Sequence, residues 1–213
     1  MVIIPSLYGE ENTVTRALRT FKEKTGIKKS FCITVSKKIP ISAGLGGGSS
    51  DAACLLKILN SISEKKINDG ELMELSAEIG SDVPLFMVDG PCIISGRGER
   101  VLPVKMEFQR WYVLLKPPFG LSTREVYEEF DRFPETGYLN DLERPAVRLN
   151  PELGNFKKIL SQEGNPVLCS VSGSGSCIFS LFFDRKSALS AVESLRKNKE
   201  LKECEIYLVE GIG

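Results

Sequence analysis

Apolar residues recur at helical spacing in several parts of the chain. Val14, Ala17, Leu18 and Phe21 share one face of a predicted helix that Asn12 can cap and that runs to about Lys24. Ala52, Ala53, Leu55, Leu56 and Leu59 mark a second, more buried helix. Leu72, Leu75 and Ile79 mark a third, which Asp69 can cap. The period changes to alternation at Phe31, Ile33 and Val35, as in a half-buried strand. Strand patterns return at Cys92–Ser95, Val101–Val104, Trp111–Leu115, Val167–Val171, Ile178–Phe183 and Glu205–Val209. Further helices are predicted from Ser122 or Thr123 through Phe130, near Leu139–Leu149, over Glu152–Leu160 and over Ser187–Lys197. Gly80-Ser-Asp-Val-Pro84 ends the third helix, because proline disfavours its continuation, and Leu85–Val88 comes next as a short apolar segment. Strand and helix alternate loosely, without strict βαβ order. This predicts an α+β chain of two subdomains and no internal repeat. The polar stretch Lys105–Arg110 divides it into residues 1–107 and 108–213.

Composition narrows the function classes. The chain has 213 residues, enough for one large domain or two small ones with a sizeable core. Its 28 basic and 28 acidic residues cancel, which weighs against a long nucleic-acid track. No apolar run reaches the length of a membrane span, and Met1–Pro5 lacks the basic and apolar regions of a signal peptide. A cytoplasmic protein with no membrane or nucleic-acid partner is expected. The six cysteines include no C-x-x-C pair and read as buried, reduced thiols rather than disulfides or a zinc site. With no histidine in the chain, His-based triads and His-ligated metals are excluded for these residues.

Candidate chemistry concentrates where the first strand pattern gives way to the second helix. Pro40-Ile41-Ser42-Ala43-Gly44-Leu45-Gly46-Gly47-Gly48-Ser49-Ser50 is followed by Asp51-Ala52-Ala53. Glycines permit positive φ and close approach of backbone to a ligand, and a helix start exposes unpaired N–H groups. Ser49 and Ser50 fall at that start, and the junction suits phosphate. Walker A requires a lysine after the last glycine, and none follows Gly48; the dinucleotide fingerprint requires a glycine where Ser49 stands. A flexible turn of small residues is the plainer alternative. Ser172-Gly173-Ser174-Gly175-Ser176 is a second small-residue turn, read either as a hairpin connection or as a further source of backbone donors. Asp82 is either a turn residue or a carboxylate that accepts a hydroxyl proton. Lys37-Lys38 form either a solvated strand end or a nucleotide contact. Tyr127 either faces the core or stacks on a base.

Taken together, Pro40–Ala53 resembles the second motif of the GHMP small-molecule kinases, and Ser172–Cys177 resembles their third. With Gly80–Pro84 downstream, the set is most similar to the branch whose alcohol substrate carries a cytidine diphosphate. The resemblance implies the two-subdomain GHMP kinase fold: an S5 domain 2-like N-terminal part, here incomplete, and a ferredoxin-like C-terminal part. It implies ATP and Mg²⁺ as cofactors, with no metal ligands assigned in the chain. The implied reaction is phosphorylation of the substrate's 2-hydroxyl, in non-mevalonate isoprenoid precursor synthesis. By resemblance, Pro40–Ser50 wraps the ATP phosphates, Lys37 borders the adenine, and Asp82 is the catalytic base. Tyr127 stacks on the cytosine, and Ser172–Gly175 buttresses the phosphate loop and borders the substrate diphosphate.

Family members open with a Pro-Ala-Lys-Ile-Asn-Leu-like strand bearing a catalytic lysine. After it comes a Gly-Tyr-His-like segment that helps hold the cytosine. Neither occurs in these residues. The expectation is a chain that starts inside the family's first domain and turns over little or no substrate. Other readings are a homoserine or mevalonate kinase of the same family, or a non-catalytic nucleotide-binding module. The residues say nothing about oligomeric state.

Overall fold

A computed structural model describes the backbone of residues 2–3 and all of residues 11–212. Of the opening Met1–Pro5, only Val2 and Ile3 fall among them. In chain order the elements are β1 (Val2–Ile3), α1 (Thr13–Thr25), β2 (Ile33–Thr34), α2 (Gly47–Ile62) and α3 (Asp69–Ile79). A 3₁₀ turn (Pro84–Met87), β3 (Cys92–Ser95) and β4 (Arg100–Pro103) come next. Then come β5 (Trp111–Lys116), α4 (Thr123–Arg132), α5 (Glu143–Leu149), α6 (Pro151–Gln162) and β6 (Leu168–Val171). The last are β7 (Ile178–Phe182), α7 (Arg185–Leu195), a 3₁₀ turn (Lys199–Leu201) and β8 (Glu205–Glu210). Two compact units result: residues 1–39 with 46–106, and residues 40–45 with 107–213.

The first unit is built on three helices. Asn12 accepts from Val14 N and Thr15 N, while Thr15 Oγ1 accepts from Asn12 N, so α1 starts on a reciprocal cap. Its apolar face, Val14, Ala17 and Phe21, joins Ala52, Leu56 and Leu59 of α2 and Leu75 and Ile79 of α3 in one buried cluster. The cap of α3 is Asn68, not the expected Asp69. Asn68 Oδ1 accepts from Glu71 N at 2.9 Å and Glu71 answers at Asn68 N, a reciprocity that needs an acid three residues on; from Asp69 that position is Leu72. The expected strand at Phe31–Val35 keeps its alternating burial but pairs only at Ile33 and Thr34, in parallel with β1. β3 and β4 form an antiparallel pair, and Leu85–Val88 becomes mostly 3₁₀ turn.

The second unit is a four-stranded antiparallel sheet in the order β6-β7-β5-β8. With helical crossovers between β5 and β6 and between β7 and β8, this is the ferredoxin-like arrangement. Val113 and Leu115 of β5 and Ile178 and Phe182 of β7 pack on Leu153 and Leu160 of α6 and on Val192 and Leu195 of α7. Burial alternates along β7, so Ser180 lies on the core face, opposite Val113. Its hydroxyl is buried and has no hydrogen-bond partner among the described residues.

All six cysteines are free thiols, but only Cys177 is buried; Cys32 and Cys54 are exposed. The uniform burial expected for them fails because Cys32 lies on the outward side of the Phe31–Val35 alternation. Cys54 points away from the α2 stripe of Ala52, Ala53, Leu55 and Leu56. Among the described residues no helix is long and apolar enough to cross a membrane.

Ser180→Ala removes an unpaired buried hydroxyl and is expected to raise stability by about 1 kcal/mol in a denaturant titration. Desolvation pushes the Cys169 and Cys177 thiols up to about 12. At pH 8 iodoacetamide should therefore modify Cys32 and Cys54 first and leave Cys169 and Cys177 until the protein is unfolded, as read by peptide mass spectrometry.

Candidate active site

In the first unit the site begins at the N-terminus of α2. Gly46 caps the helix in the left-handed conformation, with φ 64°, and no side chain accepts from the N–H groups of the first turn. The first intrahelical bond is Ser50 N to Gly46 O at 2.9 Å. The N–H groups of Gly46, Gly47, Gly48 and Ser49 have no protein partner among the described residues. The glycines therefore supply most of the unpaired turn. Ser50, expected at the free end, is already bonded, and its hydroxyl donates to Gly47 O at 2.9 Å. Four unpaired N–H groups thus stand at the positive end of a 16-residue helix, an arrangement that suits an anion.

Neighbours explain two of the glycines. A Cβ on Gly46 would meet the Phe86 ring at 2.6 Å, and one on Gly47 would meet Ile39 at 2.9 Å. Lys37 Nζ also lies beside Gly47 and donates to Asp51 Oδ2 at 2.5 Å, with both side chains mostly covered. Thr13 Oγ1 donates to Gly48 O at 2.9 Å, which fixes α1 against the start of α2. Asp82 lies in the turn after α3. It is exposed, and its carboxylate has no hydrogen bond or ion pair among the described residues.

In the second unit, Pro40–Leu45 lies on the turn between β6 and β7. Ser172 Oγ donates to Gly44 O at 2.9 Å and Cys177 N donates to Ala43 O at 3.0 Å. Gly44 has φ 70°, and a Cβ there would lie 2.1 Å from Ser172 O. Ser42 is also left-handed, with φ 54°, and is packed under Gly120. Ser172–Ser176 is a hairpin connection, and this segment packs closely on it. Ser174 is buried with its hydroxyl 2.9 Å from Thr123 Oγ1. Ser176 Oγ donates to Phe119 O at 2.6 Å, and the buried Lys116 ammonium donates to that same carbonyl at 2.8 Å.

Tyr127 does not face the core. It is 51% exposed, because Val126 and Glu129 occupy the inward face of α4. Glu129 is buried and accepts from Arg148 Nε at 2.9 Å, which ties the Tyr127 helix to α5. Arg144 and Arg148 also pair with Glu135, and the Arg144 hydrogen bond holds the Glu135 carboxyl below its ordinary value. The sequence reading missed Lys116, Asn140 and Glu143, which support the β6–β7 turn. The remote partners of Asn140 and Glu143 lie 14 to 33 residues away, and Lys116 bonds two carbonyls of the irregular stretch just after it, so no local motif marks them.

The chain matches the description "GHMP kinases N terminal domain" over residues 12–90 and "GHMP kinases C terminal" over residues 123–201. It belongs to the GHMP kinase family. Among relatives, it is 34% identical over 209 residues to the 4-diphosphocytidyl-2-C-methyl-D-erythritol kinase of Clostridium botulinum (strain Alaska E43 / Type E3), covering 88% of this chain and 75% of that one. It is 35% identical over 210 residues to the protein of the same name from Thermodesulfovibrio yellowstonii, with 86% and 73% covered. A crystal structure of 4-(cytidine 5'-diphospho)-2C-methyl-D-erythritol kinase superposes with a TM-score of 0.79 at 30% identity, over 100% of this chain and 82% of that one. Homoserine kinase from Cytophaga hutchinsonii superposes at 0.75 and 16% identity, over 94% and 76%, and shares the fold.

Gly44 and Gly26 separate strain from collision, since both have φ 70° but a Cβ at Gly26 meets nothing within 4 Å. Gly26→Ala should cost about 1 kcal/mol, and Gly44→Ala at least about 2–3 kcal/mol, in parallel denaturant melts.

Proposed function

We propose that this chain serves transfer of the γ-phosphoryl group of ATP to the 2-hydroxyl of 4-diphosphocytidyl-2-C-methyl-D-erythritol, with slow turnover because the family's lysine-bearing strand does not occur in these residues. The observation that carries the substrate is the likeness, through both units, to relatives that bear this name. The bare N-terminus of α2 supports the phosphoryl chemistry. Its free N–H groups match phosphate oxygens.

In this reading the substrate hydroxyl oxygen forms a bond to the γ-phosphorus as the bond from that phosphorus to the β,γ-bridging oxygen breaks. The hydroxyl proton passes to an Asp82 carboxylate oxygen, and ADP leaves with the bridging electron pair. An exposed carboxylate without protein partners has its lone pairs available for that proton. The α2 N–H groups stabilise charge on the phosphate oxygens without reorganising. Lys37, held by Asp51 beside Gly47, adds positive charge on the nucleotide side. Tyr127 offers an exposed ring to stack on the cytosine, and the Ser172–Gly175 turn borders the diphosphate.

Among the described residues no three His, Cys, Asp or Glu side chains converge as a metal cage. Mg²⁺ takes most of its ligands from nucleotide phosphates and water, and would neutralise phosphate charge there.

Coupled ADP release with a panel of alcohols tests the reading. The cytidine diphosphate substrate should be preferred; preference for mevalonate or homoserine replaces the substrate, and ATP binding without turnover of any alcohol favours a binding module. Asp82→Asn should lower kcat by about 10²- to 10⁴-fold with ATP affinity preserved, and undiminished turnover removes Asp82 from the mechanism.

A further inference from the structure

The Ser172–Ser176 turn that receives Gly44 is itself held from behind by the loop and first turn that lead into α5. Asn140 Nδ2 donates to Val171 O at 2.9 Å and to Gly173 O at 2.8 Å. Its Oδ1 accepts from Leu142 N at 3.0 Å, which fixes the amide orientation. Glu143 completes the clamp: it accepts from Val171 N at 3.1 Å and Ser170 Oγ at 2.9 Å and pairs with Lys157. The approach to Ser172 is thereby tied on both its N–H and its carbonyl side to one short segment. Ser172 Oγ and Cys177 N then hold the carbonyls of Gly44 and Ala43. Asn140 reaches both sides of Ser172 with one planar amide, and no substituent without two donors can do so.

We propose that Asn140 is a positioning residue for ATP, acting through the Ser172–Ser176 turn on the Pro40–Leu45 half of the phosphate loop. This rests on the reading of that loop as a phosphate cradle. Asn140 touches no substrate. It fixes the Val171 and Gly173 carbonyls, hence the Ser172 hydroxyl and the Cys177 amide, hence the path of the chain into Gly46. A cavity of about 330 Å³ beside Asn140, lined also by Tyr138, Glu143, Lys157 and Ser170, admits water to those carbonyls when the amide is removed. Loss of the amide therefore loosens the turn without opening the apolar core.

The test compares the parent chain with Asn140→Asp and Asn140→Ala. Asn140→Asp keeps the acceptor for Leu142 N and sets an oxygen against the two carbonyls; Asn140→Ala removes both functions. The dissociation constant of the non-hydrolysable analogue AMP-PNP with Mg²⁺ should rise about tenfold in both variants, and KM for ATP with it. The kcat at saturating alcohol should stay within about twofold, a split from the ATP KM that simple loss of folded protein does not produce. Hydrogen exchange at the Cys177 amide, which donates to Ala43 O, should accelerate by a similar factor. Unchanged analogue affinity in both variants overturns the role of Asn140, as does a loss that tracks global unfolding in a thermal melt. A parent chain that does not bind AMP-PNP overturns the phosphate-cradle reading itself.

Discussion

The path of the backbone at Gly44 sets the terms for the rest of the site. There the chain lies against the β6–β7 turn so closely that a single methyl group has no room. A contact of this kind permits no lateral slip, because the carbonyls of Ala43 and Gly44 are both held by the turn. The next residues are equally confined: Gly46 must turn left-handed beside Phe86, and Gly47 must pass Ile39. The three glycines answer to three different neighbours. Together they leave the first turn of α2 with its N–H groups free, a state that costs free energy in the absence of a ligand or water and makes the turn receptive to anions.

The electrostatics of that turn come mainly from the backbone. Lys37 is the side-chain cation beside it, and Asp51 offsets much of its charge. A cradle built from amides rather than lysines holds its donors in fixed directions and has little conformational entropy to lose on binding. Such a turn needs no excess of basic residues, and the chain has none: its formal net charge is zero.

Elements stabilised locally were legible in the sequence. The helices appeared through their apolar stripes, and the glycine run announced both its flexibility and the helix it starts. The strands of the second unit were legible as patterns, whereas their ferredoxin-like order came from the family resemblance, because β5 pairs with β7 and β8, remote in the chain. Features decided by remote partners were less visible. Asn68 rather than Asp69 caps α3 because Glu71 reciprocates, and Tyr127 turns outward because Glu129 takes the buried position to meet Arg148. Asn140 carries no motif, since its two acceptors lie 31 and 33 residues away. The family resemblance supplied roles for Asp82 and Tyr127 that their local sequence leaves ambiguous.

The hydrogen bond from Ser172 to Gly44 spans 128 residues of chain. Closing so long a loop brings little reward until both ends already have their shape, so this contact belongs to the late part of folding. The six residues 40–45 are donated to a unit whose other residues begin at 107. Synthesis from the N-terminus exposes the glycine run to solvent long before its partner turn exists. The seat of residues 40–45 is therefore completed only after the β6–β7 turn has been made, and protection of the Cys177 amide, which donates to Ala43 O, reports the end of refolding rather than its beginning.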